Sequence, residues 1–172
     1  MSKGAGVEVA RLVLRLAVGG TMVAHGVRHA RSLSGTAGWF KSIGFERPEL
    51  QARASAVVEI GAGAALAAGL ATPAAAAAVI GTMAVAARTV HVPNGYFIVD
   101  EGYEYVLSLA AASAATGALG AGRYSLDARL GRLGRPGHVG GPWVAAAATA
   151  LGLTVAAAQL ATFWRKPERA EG

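Results

Sequence analysis

Apolar residues fall in five long blocks, roughly 9–29, 54–71, 74–91, 103–120 and 142–163, with polar residues gathered between them. A run of about 18 or more apolar residues reads as a membrane span, because the hydrocarbon core is about 30 Å thick. The pattern predicts an all-α fold: a transmembrane helical bundle of four helices plus a fifth C-terminal transmembrane helix. Only Thr72-Pro73 separates the second and third blocks, so these form an antiparallel hairpin. The third block is rich in alanine and weakly hydrophobic, which suits the interior of a bundle better than a lipid-facing position. Trp143 and Trp164 bracket the last block at belt positions. Their separation of 21 residues gives a rise of about 32 Å, enough to cross.

The polar stretches carry local signals. Between 31 and 53 lies SGTAGWFKSIGF, in which Ser34 or Thr36 can cap a short helix and Gly44 can end it. Trp39, Phe40 and Ile43 fall on neighbouring turns, predicting an interfacial helix near 36–43 that lies on the membrane. Pro48 suits the first turn of the next helix. In the second block Gly61, Ala65 and Gly69 recur every fourth residue, as do Glu59, Gly63 and Ala67. Small residues so spaced let membrane helices approach closely. Ser125 can cap a short helix that brings Arg129, Arg132 and Arg135 to the headgroups. The chain thus divides into a four-helix domain over 1–130, a basic Gly/Pro linker over 131–141, a fifth helix over 142–164 and a polar tail over 165–172.

Composition sharpens this picture. Only 15% of the 172 residues are charged, where a soluble domain carries about a quarter. The net charge of +6 does not point to nucleic acid, since the basic residues sit at block ends where arginine and lysine meet lipid headgroups. They divide seven to nine between the two membrane faces and leave the orientation undecided. The basic start and apolar middle of the first thirty residues resemble a signal peptide, and we read them as a retained first span. No cysteine is present, which excludes disulfides and thiolate-held iron–sulfur clusters. Any redox role must borrow its electron carrier.

Candidate chemistry gathers around RTVHVPNGYFIVDEGYEY, residues 88–105, where Pro93, Asn94 and Gly95 make a turn. On alternately directed helices His25, Glu59, Arg88, His91 and Glu104 all reach one membrane face. Charges inside a span are costly and turn inward to partners. Any one of them can serve only as a buried ion pair, Glu59–Arg88 or Glu104–Arg88, that fixes helix register. As a set they suggest a polar pocket, with His25, Glu59, His91 and Glu104 as proton-handling residues. Arg88, Trp39, Tyr96 and Tyr103 would be its ligand-contacting residues, with Phe40 and Phe97 as further aromatic walls. His29 reads as an interfacial histidine. The ligands come from separate helices without local metal-binding spacing, so no metal is assigned, and alanine-rich packing leaves little room for a haem. A quinone headgroup fits the residue types better: histidine or arginine donates to a carbonyl while a carboxylate relays protons.

RLVLRLAVGGTMVAHGVRH, GTAGWFKSIGF, the Glu59-Ile-Gly-Ala-Gly stretch, HVPNGYF, YEY and GAGRYSLD, taken in that order, resemble the DoxX family over about residues 8–130. The resemblance implies a four-helix membrane bundle in the bacterial inner membrane with a cytoplasmic N-terminus, which places the pocket towards the outer face. It carries over Arg15, His25, Gly26, Trp39, Glu59, His91, Asn94, Gly95, Glu104 and Asp127. The family is named for a membrane subunit of a thiosulfate:quinone oxidoreductase. The expectation is therefore an integral membrane subunit of a quinone-linked oxidoreductase or respiratory complex. The alternative is a non-catalytic anchor or assembly subunit, docked to other subunits in part by the fifth helix.

Overall fold

The computed structural model describes residues 3–131 and 139–167. The centre of the predicted linker, with Arg132 and Arg135, and the end of the predicted tail lie outside the described residues. Helix α1 runs Lys3–Arg31, α2 Leu33–Ser42, α3 Pro48–Ala68, α4 Thr72–Ala86, α5 Glu104–Leu119, α6 Leu126–Gly131 and α7 Pro142–Phe163. No strand occurs among the described residues; the one isolated antiparallel bridge joins Phe45 to Trp164. The five apolar blocks coincide with α1, α3, α4, α5 and α7.

Two of these helices are long and apolar enough to cross a membrane: α4 with its extension, Thr72–Asn94, and α7. Polar and charged residues dilute α1 and α3. Helix α5, read from the sequence as a crossing over 103–120, has 16 residues and a rise of about 24 Å, less than the hydrocarbon thickness. Past Ala86 the helix relaxes into a π-helical turn over Ala87–His91 and a 3₁₀ turn over Val92–Asn94. Pro93 lies where the ladder fails, because it has no N–H to continue it.

Close approach at small residues sets the packing. A methyl on Gly19 of α1 would lie 2.5 Å from the Gly63 carbonyl oxygen of α3, and one on Gly26 would lie 2.9 Å from the Glu59 Cβ. On α3 the ridge Glu59–Gly63–Ala67 packs against the α1 backbone, whereas Gly61 faces open space. Helix α4 is the centre of the molecule: nine of its fifteen residues are buried, and α3, α5 and α7 all pack on it. Its crossing with α7 is as tight, since a methyl on Gly152 would lie 2.5 Å from the Ala77 carbonyl oxygen. The fifth helix is therefore built into the bundle. Its last turn is tied to the α2–α3 corner, where the Glu46 amide donates to the Phe163 carbonyl and Trp164 Nε1 donates to the Ile43 carbonyl.

The opposite end of the bundle is held by charge. Arg15 is buried at 1% exposure and donates to the carbonyls of Ala121 (2.8 Å) and Tyr124 (2.7 Å), the partners its depth in the first span required. Asp127 accepts from the Ala71 and Thr72 amides and from the Thr72 hydroxyl, capping α4 from a segment 55 residues away. Glu8, in the second turn of α1, pairs with Arg11 and accepts from the Arg123 amide at 2.7 Å. Burial alone would push the Glu8 carboxyl up. The Arg123 amide and the two guanidiniums outweigh it and hold the pKa below the ordinary 4.5. A depressed carboxyl contributes stability above its unfolded pKa and loses it as pH falls through the folded one. Glu8→Gln is therefore expected to flatten the acid limb of a thermal-unfolding profile run from about pH 6 to about pH 3. An unchanged limb would show that this pairing contributes nothing.

Candidate functional site

The bundle end where α1 stops and α3 begins holds a half-open cavity of about 340 Å³ between α2, α3, α4 and α7. Its size is that of a small-molecule site, about 300–1,000 Å³. Most of the wall is apolar, with Phe40, Val85 and Phe163 among its residues. Leu50 and Val58 at the mouth are exposed hydrophobics.

The polar residues form a stripe on α3. Gln51, Ser55 and Glu59 are spaced by four, hence on one face, and about 6 Å apart along the axis per step. Glu59 is deepest, at 4% exposure. Its Oε1 accepts a short hydrogen bond from the Ser55 hydroxyl and lies 3.2 Å from His29 Nδ1. His29 Nδ1 is also 3.0 Å from the Ser55 oxygen. The serine proton is committed to Glu59, so its oxygen is left to accept from a protonated Nδ1, which fixes the tautomer of a neutral His29 with Nε2 free. The ring of Trp39 stands 6.5 Å from that of His29, and both line the cavity. A buried carboxylate is costly unless hydrogen-bonded, and these two contacts answer that cost. The pair is short of a metal site, for no group of three His, Cys, Asp or Glu gathers among the described residues.

The residues singled out from the sequence lie at this same end in two separate groups. Glu59 and Trp39 line the cavity. His91 Nδ1 instead donates to the Glu101 carbonyl at 2.6 Å, and Glu104 accepts from the Ile98 amide at 3.0 Å, so both brace the 95–103 turn. Tyr96 and Tyr103 stack edge to face at 5.5 Å within that turn, and Phe97 packs on Tyr96. His25 is exposed, its ring 6.4 Å from that of Tyr105. Arg88 lies over the Trp164 ring at 4.8 Å rather than beside Glu59 or Glu104. His29, Ser55, Gln51 and Gln159 are the cavity residues that sequence reasoning passed over. The four-residue spacing of 51, 55 and 59 was the available signal for two of them.

Residues 10–92 match the DoxX family model. No curated protein and no solved structure matches the chain. The match ends within the 3₁₀ turn after α4, so it takes in the α1, α2 and α3 contributions to the cavity and excludes that of α7.

Proposed function

The chain is a DoxX family membrane protein through residues 10–92, and from that premise we propose that it is an integral subunit of a quinone-linked oxidoreductase, with the cavity beneath α2 as its headgroup site. The observation that carries this reading is a buried carboxylate, hydrogen-bonded to Ser55 and facing His29, at the floor of an apolar cavity with hydrophobic side chains at its mouth. In this reading the helical bundle sits in the membrane, the N-terminus is cytoplasmic and the cavity opens in the outer leaflet. Electrons come from a partner subunit.

The residues suit such a ligand. The wall accepts an apolar ring, and a prenyl tail can leave past Leu50 and Val58 into lipid. A quinone bound there would supply reversible two-electron, two-proton chemistry. The chain's part is to bind the ring, exclude water and move the proton. His29, at 23% side-chain exposure, takes a proton at Nε2 from the aqueous face and gives up its Nδ1 proton through the Ser55 hydroxyl to Glu59, whose carboxyl holds it at the ring. Glu59 keeps the proton-handling role that sequence reasoning gave it, and in this reading Ser55 and His29 stand where His25, His91 and Glu104 stood.

The test is a short-tailed quinone bearing a photoreactive group, applied to the purified protein in nanodiscs. Saturable labelling of peptides from α2 and α3 is expected, reduced several-fold by Glu59→Leu, which removes the carboxyl that donates to the ring carbonyl once protonated through Ser55, a contact of about 0.5–1.5 kcal/mol. Labelling that does not saturate, or that falls elsewhere in the bundle, overturns the reading.

A further inference from the structure

The cavity has a second polar pole. Gln51, at 4% exposure, and Gln159 of α7 both line it, and Gln159 Nε2 donates to Gln51 Oε1 at 2.8 Å. Each primary amide offers two donors and two acceptor sites, and this bond uses one donor and one acceptor of the pair. The buried side-chain nitrogen and oxygen atoms left without a partner among the described residues belong to Arg11 and Arg15 alone. Among the described residues the Gln51 NH₂ has no hydrogen-bond partner and is not one of those fully buried atoms, so it is open to the cavity. An amide in apolar surroundings with donors to spare is costly unless something accepts from it.

Two poles on one helix face define a length. Gln51 and Glu59 are eight residues apart on α3, about 12 Å along the axis, with Ser55 between them. Gln159 cannot swing away, because the end of α7 is fixed by the Trp164 indole on Ile43 and by the Arg165 amide on the Gly44 carbonyl. Helix α7 lies outside the family match, so this pole is an addition to the domain that the family defines.

We infer that Gln51 and Gln159 are a ligand-orienting amide pair, and that the cavity selects a ring carrying accepting oxygens at opposite ends, one bonded by the Glu59 carboxyl once it is protonated through Ser55 and the other by the amide NH₂. This rests on the proposed quinone reading and narrows it: one-oxygen rings bind at the Glu59 end only, and α7 sets which ring is accepted. A hydrogen bond lost from a buried carbonyl is worth about 0.5–1.5 kcal/mol, or roughly 2- to 13-fold in affinity.

The experiment compares two probes with the same short prenyl tail, a benzoquinone and a phenol, by displacement of the photoreactive quinone from the full chain in nanodiscs. Wild type is expected to prefer the quinone by about tenfold. Gln51→Leu/Gln159→Leu is expected to abolish that preference by weakening the quinone alone and leaving phenol binding unchanged. Replacing both partners by apolar side chains of similar shape is close to neutral for folding. Should the double variant not accumulate, Gln159→Asn, which draws the amide back by one methylene, is expected to give the same loss in smaller measure. Equal weakening of both probes would assign the glutamines to the wall alone, and an unchanged preference would remove them from the site; either result overturns the inference. If neither probe binds wild type saturably, the quinone reading itself fails.

Discussion

Replacing Gly63 by valine is expected to cost this protein at least the upper end of the ~1–3 kcal/mol typical of overpacking, and to leave little folded material in a denaturant titration. The cause is the crossing of α1 and α3. A Cβ at Gly63 would lie 2.7 Å from the Gly19 carbonyl oxygen, 2.8 Å from the Met22 Cβ and 2.9 Å from the Val23 amide nitrogen. Two of those three atoms are backbone, so no rotamer change relieves the clash and the helices must part. Between membrane helices there is no hydrophobic drive to offset lost contact, because lipid is as apolar as the side chains. The matched control is Gly61→Ala. That glycine lies on the same helix but faces open space, so the change is expected to be neutral or to gain up to about 1 kcal/mol from helix propensity. Equal stability of Gly63→Val and wild type would show that α1 and α3 do not cross here.

The same crossing governs the site. Gly26 lies against Glu59 and Ile60, one turn before His29, so the separation of α1 from α3 sets the 3.2 Å between His29 and Glu59. Gly26→Val is expected to part that pair, and quinone labelling should fall with it even in the fraction that folds.

Level along the bundle was legible in the sequence, and rotation about the helix axes was not. Apolar runs locate the helices along the chain, and alternating direction brings His25, Glu59, His91 and Glu104 to one end of the bundle. Which side of that end each residue occupies depends on how far each helix is turned about its own axis. The π-helical turn at Ala87–His91 adds a residue to the ladder and rotates the chain beyond it by about 100°. Arg88 accordingly meets Trp164, and His91 meets the Glu101 carbonyl. The ridge of Glu59, Gly63 and Ala67 was legible because close packing needs small residues at a fixed spacing. The pairing of Gln51 with Gln159 was not, because the two lie 108 residues apart and nothing local to either marks the other.

Arg15→Met is expected to destabilise the fold by about 2–4 kcal/mol and to expose the 120–128 amides to hydrogen exchange ahead of the rest of the bundle. Two effects oppose each other. Removing a buried guanidinium relieves the desolvation of a charge, which in some proteins makes an apolar replacement harmless. That outcome requires both partners to be replaced, and here the acceptors are the backbone carbonyls of Ala121 and Tyr124, which no side-chain change removes. Each buried orphan costs about 1–3 kcal/mol, so the loss prevails. Arg15→Lys is not expected to rescue, since a single ammonium cannot span two carbonyls as the planar fork does. The segment pinned by Arg15 also carries Asp127, whose carboxylate caps α4 at Ala71 and Thr72. Loss of the pin should therefore spread to the first turn of α4 and raise its exchange as well. If the loop stays protected in Arg15→Met, the cap alone holds it, and Asp127→Ala must then produce the whole effect.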